Sequence, residues 1–411
     1  MNIPLHGRIN RKWQNLLLLS IAELLAMSLW FSASAVVPQL TLAWHLTGGQ
    51  QSWLTMSVQV GFVVGALLSA ILNLADRGSV QRFLAFSAVA GAVFNASIAI
   101  FVDTPELALW LRFLTGVSLA GIYPPGMKLM ATWCRHDRGL GIGLLVGALT
   151  VGSALPHLLN AIPVLGDAGP PWRLVLLAAS LAALSAAGIM MTWVETGPFL
   201  AQAKQLHWQH AGSVFTNRGV RLANLGYLGH MWELYAMWAW VPLCLLASYQ
   251  QAGWPETGAR LVGFSVIAIG GVGSLLAGLL ADRWGRTTIT LISLMISGSC
   301  ALLVGFCFHS PLGLTVVCLI WGFAVVADSA QFSAAISELS DPHYVGTALT
   351  MQTSLGFLLT LFTIRMIPPL VDAWGWEWAF AVLALGPMFG IWSMLRLRQL
   401  PEAVKLASGH R

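Results

Sequence analysis

The sequence predicts an all-α integral membrane protein with twelve transmembrane helices in two pseudo-symmetric six-helix bundles. Three observations carry that prediction. Of the 411 residues, 57% are hydrophobic and only 9% charged, with a mean hydropathy of +0.75; a water-facing surface needs far more charge. Apolar runs recur along the whole chain, each close to the roughly 20 residues a helix needs to cross the hydrocarbon. Short stretches of the first half return in the second at a nearly constant offset, from Leu74–Arg77 to Leu279–Arg283, for example.

The N-terminus, MNIPLHGRINRKW, leads into the first apolar run with no small-residue cleavage site, so it reads as a retained first helix and not as a signal peptide. The twelve spans fall at 14–40, 52–74, 83–102, 106–133, 139–164, 173–194, 220–248, 259–281, 287–308, 311–336, 346–371 and 377–396. The longest loop is polar and divides the chain into an N-terminal bundle (1–194), a linker (195–219) and a C-terminal bundle (220–411). Of 21 Lys and Arg, sixteen fall on the side of the N-terminus; only Arg173 and Arg260 fall on the other, and Arg112, Lys128 and Arg365 lie within spans. By the positive-inside rule both termini are cytoplasmic, in a multi-pass protein of the cytoplasmic (inner) membrane, surrounded by the lipid bilayer.

The repeat is regular. Asp76 and Asp282 are 206 apart, as are Trp172 and Trp378, and Gly116 and Gly322. Twelve helices in two repeats, with "GLLADRWGR" from Gly278 to Arg286 between helices 8 and 9, resemble the major facilitator superfamily over nearly the whole chain. Duplicated six-helix halves are a recurring transporter design. The family's helix 2–3 signature is complete in the second half, at Gly278, Leu280, Ala281, Asp282, Arg283, Gly285 and Arg286; the first half keeps Leu74, Ala75, Asp76 and Arg77 but has Leu72 in place of the first glycine. The resemblance implies a cytoplasmic gate built from these residues. An aspartate there can face the positive N-terminus of a neighbouring helix, and the arginines can bridge to acids. The alternative is that the arginines only set topology. "RFLTG", Arg112 to Gly116, resembles the superfamily's helix 4 motif linked to proton coupling, with Thr115 where glutamine is expected. An arginine at that depth must face protein or a water-filled cavity, either as a functional charge or as a structural group bonding helix carbonyls.

Three of the sixteen acids lie well inside spans: Glu23, Glu233 and Asp328. Ionisable groups at that depth are rare and mark functional sites. "ELLAMSLW" at Glu23–Trp30 and "ELYAMWAW" at Glu233–Trp240 share five residues, four of them on one helical face. Glu23, Met27 and Trp30 thus form one stripe, and Glu233, Met237 and Trp240 another, extended by His230. The resemblance places helices 1, 4, 7 and 10 around a central cavity and both stripes on its wall. The competing reading is inherited packing, with the glutamates bonding neighbouring helices. Asp328 and Gln331 share a face of helix 10 and are further cavity candidates; His157 in helix 5 and Arg365 in helix 11, with Arg112 and His230, are candidate charge partners or anion contacts. Gly143 and Gly147 fit close small-xxx-small helix packing, and "YPPG", Tyr123–Gly126, is expected to kink helix 4.

These residues point to a secondary active transporter that moves a small solute by alternating access, coupled to protons, functional as a monomer and without cofactor. Glu23, Glu233 and Asp328 are the proton or cation candidates. Uptake by symport is slightly favoured over efflux by antiport, because "TVGSALPHLL" lacks the superfamily's exporter-associated glycine-proline pattern. An enzyme is not expected: there is no HExxH, GxSxG or phosphate-binding loop, and the five cysteines lack metal-ligand spacing. A nucleic-acid partner is not expected either, because the net charge of +5 is spread over short loops.

Overall fold

The computed structural model describes residues 5–74, 78–134, 138–162, 170–199, 216–341 and 345–410. Asp76 and Arg77, half of the expected gate, and most of the linker lie outside the described residues. The chain crosses twelve times. The crossings are α1 (Leu5–Met27), α2 (Gly48–Ile71), α3 (Val80–Phe101), α4 in two pieces (Pro105–Leu119, Tyr123–Ala131), α5 (Arg138–Ala161) and α6 (Trp172–Thr192). The second half has α7 (Arg218–Gln251), α8 (Glu256–Trp284), α9 (Arg286–Leu303), α10 in two pieces (Pro311–Ala327, Ser329–Leu339), α11 (Val345–Trp374) and α12, which ends in Leu385–Arg398. Among the described residues, ten crossings are long and apolar enough to span a membrane on composition alone; α1 and α7, the carriers of Glu23 and Glu233, are the other two. Large apolar side chains such as Phe86, Phe101 and Phe306 stay at least 70% exposed around the outside, as a multi-pass membrane protein requires and a soluble one avoids. The face on which the chain begins and ends is called near below, and the opposite one far.

Helix starts follow local chemistry. Thr47 and Gln50 form a capping box at α2. Asn217 Oδ1 accepts from Val220 N at 3.1 Å to begin α7. Gly285, with φ at 92°, turns α8 into α9 in a conformation that any side chain would strain. That explains the glycine in the signature.

The first span, expected unbroken over 14–40, is not. Its α-helix stops at Met27, turns through 28–33, and resumes as a short helix at Val37–Trp44. Pro38 sits in the first turn of the new piece, where its missing N–H costs nothing; further into a helix its ring would collide with the carbonyl four residues back. α4 breaks at 120–122, just ahead of "YPPG", and α10 breaks at Asp328.

Glycine sets the seams. A Cβ on Gly116 would lie 2.0 Å from Val58 O, and one on Gly322 would lie 1.8 Å from Val266 O. The α2–α4 and α8–α10 contacts are therefore the same contact made twice, with the glycines 206 residues apart and the valines 208. Between the halves, α5 runs against α8, with Gly147 facing Gly271 and Gly278 facing Gly139, and α2 runs against α11.

Candidate functional site

At the centre of the molecule α1, α4, α5, α7, α10 and α11 enclose a cavity of about 50 Å³. Its wall is aromatic: Trp30, Tyr123, Tyr227, Tyr235, Trp238 and Phe357 line it, with Thr150, Ser329, Ser333 and Thr353 supplying hydroxyls. The rings interlock across the two halves, Trp30 lying 5.3 Å from Phe357 and 5.9 Å from Tyr235. The indole N–H groups of Trp30 and Trp238 are buried and donate to no acceptor among the described residues. Tyr123, Met127 and Thr353 also line a second cavity of about 180 Å³, which reaches toward the near face between α2, α4 and α11 and carries Lys128, Asn73 and Thr350. A third, of about 40 Å³, lies toward the far face, lined by Gln39, His157, Asn160 and Arg260, and shares no lining residue with the central one. The central cavity thus abuts the near-side one through Tyr123, Met127 and Thr353 and shares no lining residue with the far-side one.

Both octet stripes are expected on the cavity wall; among the described residues only Trp30 of the two lines it. On α7 the lining face is Tyr227, Met231, Leu234, Tyr235 and Trp238, adjacent to the stripe that carries Glu233. Glu233 instead turns into the second half, where the Trp321 indole donates to Oε1 and Ser297 Oγ donates to Oε2 at 3.0 Å. Trp240 Nε1 donates to Ile364 O at 3.0 Å, and Met27 and Met237 are buried in the core. Glu23 is equally buried, yet neither carboxylate oxygen has a hydrogen-bond partner among the described residues. Its Oε2 rests over Gly126 of "YPPG", 2.9 Å from where a Cβ would stand, so a side chain there would push the carboxylate aside.

Arg112 makes four hydrogen bonds to the chain's own atoms: Nε to Leu54 O at 3.1 Å, Nη1 to Leu29 O at 2.9 Å and to Ser32 Oγ at 3.1 Å, and Nη2 to Trp30 O. It splints the break in α1 through the Leu29 and Trp30 carbonyls and Ser32 Oγ, and ties it to α2 at Leu54 O. This is the structural alternative named above. Ser32 passes the network on to Asn95 at 2.7 Å, and Asn95 bonds Leu176 O and Ser180 on α6.

His230 Nδ1 and Asp328 Oδ1 are 2.8 Å apart in a fully buried pair, flanked by Tyr227 and Phe332 rings at 5.9 and 5.7 Å from the imidazole. The break in α10 exposes Asp328 to α7. Gln331, one turn on, accepts from Arg286 Nη1 at 2.9 Å and so belongs to the near-face charge cluster. There Arg286 grips Glu338 with contacts of 2.6–2.9 Å and stands 3.5 Å from Asp282. The Asp282 carboxylate packs on Gly139, in the first turn of α5, 3.0 Å from its Cβ position. Arg283 is exposed on the same face. His157 lines the far-face cavity, its Nε2 without a hydrogen-bond partner among the described residues, and Arg365 lies against Gly49 at the start of α2, 3.4 Å from its Cβ position. The aromatic face of α7 escaped sequence reasoning, although Tyr227, Met231, Leu234 and Trp238 recur at helical spacing. Ser297, Trp321 and Glu338 carried no signal of their own.

The comparisons with known proteins agree with this architecture. The model of the Major Facilitator Superfamily matches residues 19–364 and 251–411. The 3-(3-hydroxy-phenyl)propionate transporter of Escherichia coli is 27% identical over 255 residues, 61% of this chain and 60% of the relative's own length. The gallate transporter of Pseudomonas putida is 26% identical over 304 residues, 66% of each chain. A putative niacin/nicotinamide transporter of Bacillus subtilis is 22% identical over 81% of this chain and 88% of its own. Among solved structures, a partially occluded, inward-open conformation of the xylose transporter from E. coli superposes with a TM-score of 0.75 at 15% identity, covering 94% of this chain and 98% of that one; at that identity the likeness is one of fold. The chain belongs to the major facilitator superfamily and is a membrane transporter of small solutes, not an enzyme.

Proposed function

We propose that this protein takes up a small aromatic acid by alternating access, in symport with protons, across the cytoplasmic membrane, with the near face cytoplasmic. The observation that carries the cargo class is the aromatic wall of the central cavity with its two unengaged indole N–H groups. Flat rings gain from offset and edge contacts with such a wall, and the indoles can donate to a carboxylate or phenol oxygen. Three relatives named for gallate, a hydroxyphenylpropionate and niacin support the same class. Glu23 is the proton site in this reading. An unpaired carboxyl group buried beside the Tyr123 turn can carry a proton through an apolar barrier, whereas the charged form needs a partner there. The excess of Lys and Arg on the near face supports a cytoplasmic near side, and the Asp282–Gly139 contact is the gate on that side. A monomer is the unit in this reading, since every residue lining the central cavity comes from the one chain.

Proteoliposomes test this directly. Labelled gallate, 3-(3-hydroxyphenyl)propionate and nicotinate are offered with and without an inward proton gradient, with xylose as comparison. Gradient-stimulated accumulation of an aromatic acid, and none of xylose, is the expected result. Stimulation only by an outward-directed cargo gradient against protons would replace symport by efflux antiport; no transport of any aromatic acid would end the cargo assignment.

A further inference from the structure

The α5–α8 seam is antiparallel, and α8 offers opposite charges to the two ends of α5. At the near end Asp282 packs on Gly139, in the first turn of α5. At the far end Arg260 Nη1 donates to Asn160 O at 3.4 Å, in the last turn of α5, while its Nη2 is held by Glu256 at 3.0 Å. A helix carries partial positive charge at its start and partial negative charge at its end, and its last carbonyls lack helical partners. Both contacts are therefore charge-matched to the same dipole. Between them Gly147 and Gly271 keep the backbones close, each Cβ position lying 3.2 or 3.1 Å from the other's carbonyl oxygen, which makes a pivot between the two ends.

Two arginines stand at the far-side starts of helices, Arg173 on α6 and Arg260 on α8, and they behave differently. Arg173 pairs with Asp103 at 2.8 Å inside its own half, as an ordinary surface ion pair does. Arg260 crosses to the other half. It is also more enclosed than Arg173, with its side chain 19% exposed against 51%. Arg260 also lines the small far-face cavity of Gln39, His157 and Asn160.

We propose that Arg260 is a positioning residue for transport: it latches the far end of the α5–α8 seam, in competition with Asp282 at the near end. The proposal rests on the alternating-access reading above. Both contacts are made in this structure; releasing the near one lets the halves part toward the near side, and releasing the far one lets them part toward the far side. Glu256 orients the guanidinium and keeps this end neutral.

Conformation is read without cargo or gradient, in cells, by a membrane-impermeant maleimide on Leu243→Cys, which lines the far-face cavity. Labelling is normalised to Leu42→Cys, 80% exposed on the far-side piece of the first span, with the unsubstituted chain as blank. Loss of a charged hydrogen bond shifts a two-state equilibrium by about tenfold, so Arg260→Ala and Arg260→Gln should each raise Leu243→Cys labelling by about fivefold or more. Arg260→Lys, which still reaches a carbonyl, should stay within about twofold of the parent. Asp282→Asn should move labelling the opposite way, below the parent. Labelling unchanged in both Arg260→Ala and Arg260→Gln, while Asp282→Asn lowers it, overturns the latch and leaves alternating access standing. Labelling unmoved by all three overturns both. In transport, Arg260→Gln should lower the maximal rate with KM within about twofold, because the cargo contacts are intact; a change confined to KM counts against a latch.

Discussion

Glu23 and Glu233 occupy the same point of the repeat, and their surroundings are opposite. Glu233 accepts from Trp321 and Ser297, and a His–Asp pair stands nearby on the same helices. Glu23 is as deeply buried, accepts from no described residue, and rests on a glycine. The arginine is divided the other way. The first half has Arg112 binding the broken α1, while its mate in the second half is Cys318, and α7 runs unbroken past the corresponding point. Duplication supplied two copies of a scaffold. In the second half the acid was absorbed into structure; in the first, the arginine was, which left an acid with nothing to hold. A buried polar group with no partner among the described residues is costly, which is why the proposed proton site is placed at Glu23 and not at Glu233.

The comparison is sharpest where the halves should still agree. Gly116→Ala and Gly322→Ala each drive a methyl into a backbone carbonyl, so both should abolish recovery of folded protein, read by size-exclusion chromatography. If one is tolerated, the seams are not equivalent. The next effect is lopsided. Arg112→Leu removes four buried hydrogen bonds and should lower unfolding stability by about 3–5 kcal/mol, whereas Cys318→Ala should cost about 1 kcal/mol. Thermal unfolding in detergent, followed by a thiol-reactive dye on the buried cysteines that remain, separates them. The glutamates come third. Glu233→Gln disturbs two hydrogen bonds and should lose about 1–3 kcal/mol. Glu23→Gln should change stability by less than about 0.5 kcal/mol yet lose gradient-driven uptake by about tenfold or more while keeping counterflow, the split expected of a proton carrier. Equal losses of both activities would make Glu23 structural. The smallest effect is at the wall: Trp238→Ala should raise KM for an aromatic acid by about tenfold, in line with about 1.5 kcal/mol for an aromatic contact, and leave stability within the range of an ordinary core change.

Much of this was legible in the sequence, because hydropathy and internal repetition are local signals. The twelve crossings, the two halves, the glycine seam of α5 and the intact signature at Gly278–Arg286 needed no tertiary information. Faces were harder. The octet correctly marked one stripe of α7, but a helix in a bundle is buried on several sides, and the sequence could not say which side meets the other half. Tyr227, Tyr235 and Trp238 face it; Glu233 does not. The break in α1 was invisible for a related reason. Nothing between Met27 and Ala33 forbids a helix, and the break is stable only because Arg112, some 80 residues later, is there to bind the freed carbonyls.

The central cavity has one further consequence. At about 50 Å³ it has room for one or two water molecules, far below the roughly 300 Å³ at which small-molecule sites begin. Cargo of that size therefore fits only after the walls move apart, and the free energy of that opening is subtracted from its intrinsic affinity. Selectivity in such a protein is set by what it takes to open the cage as much as by what the cage touches. A substitution that props the rings apart would make a better binder and, by removing the collapse that ejects cargo, a slower carrier.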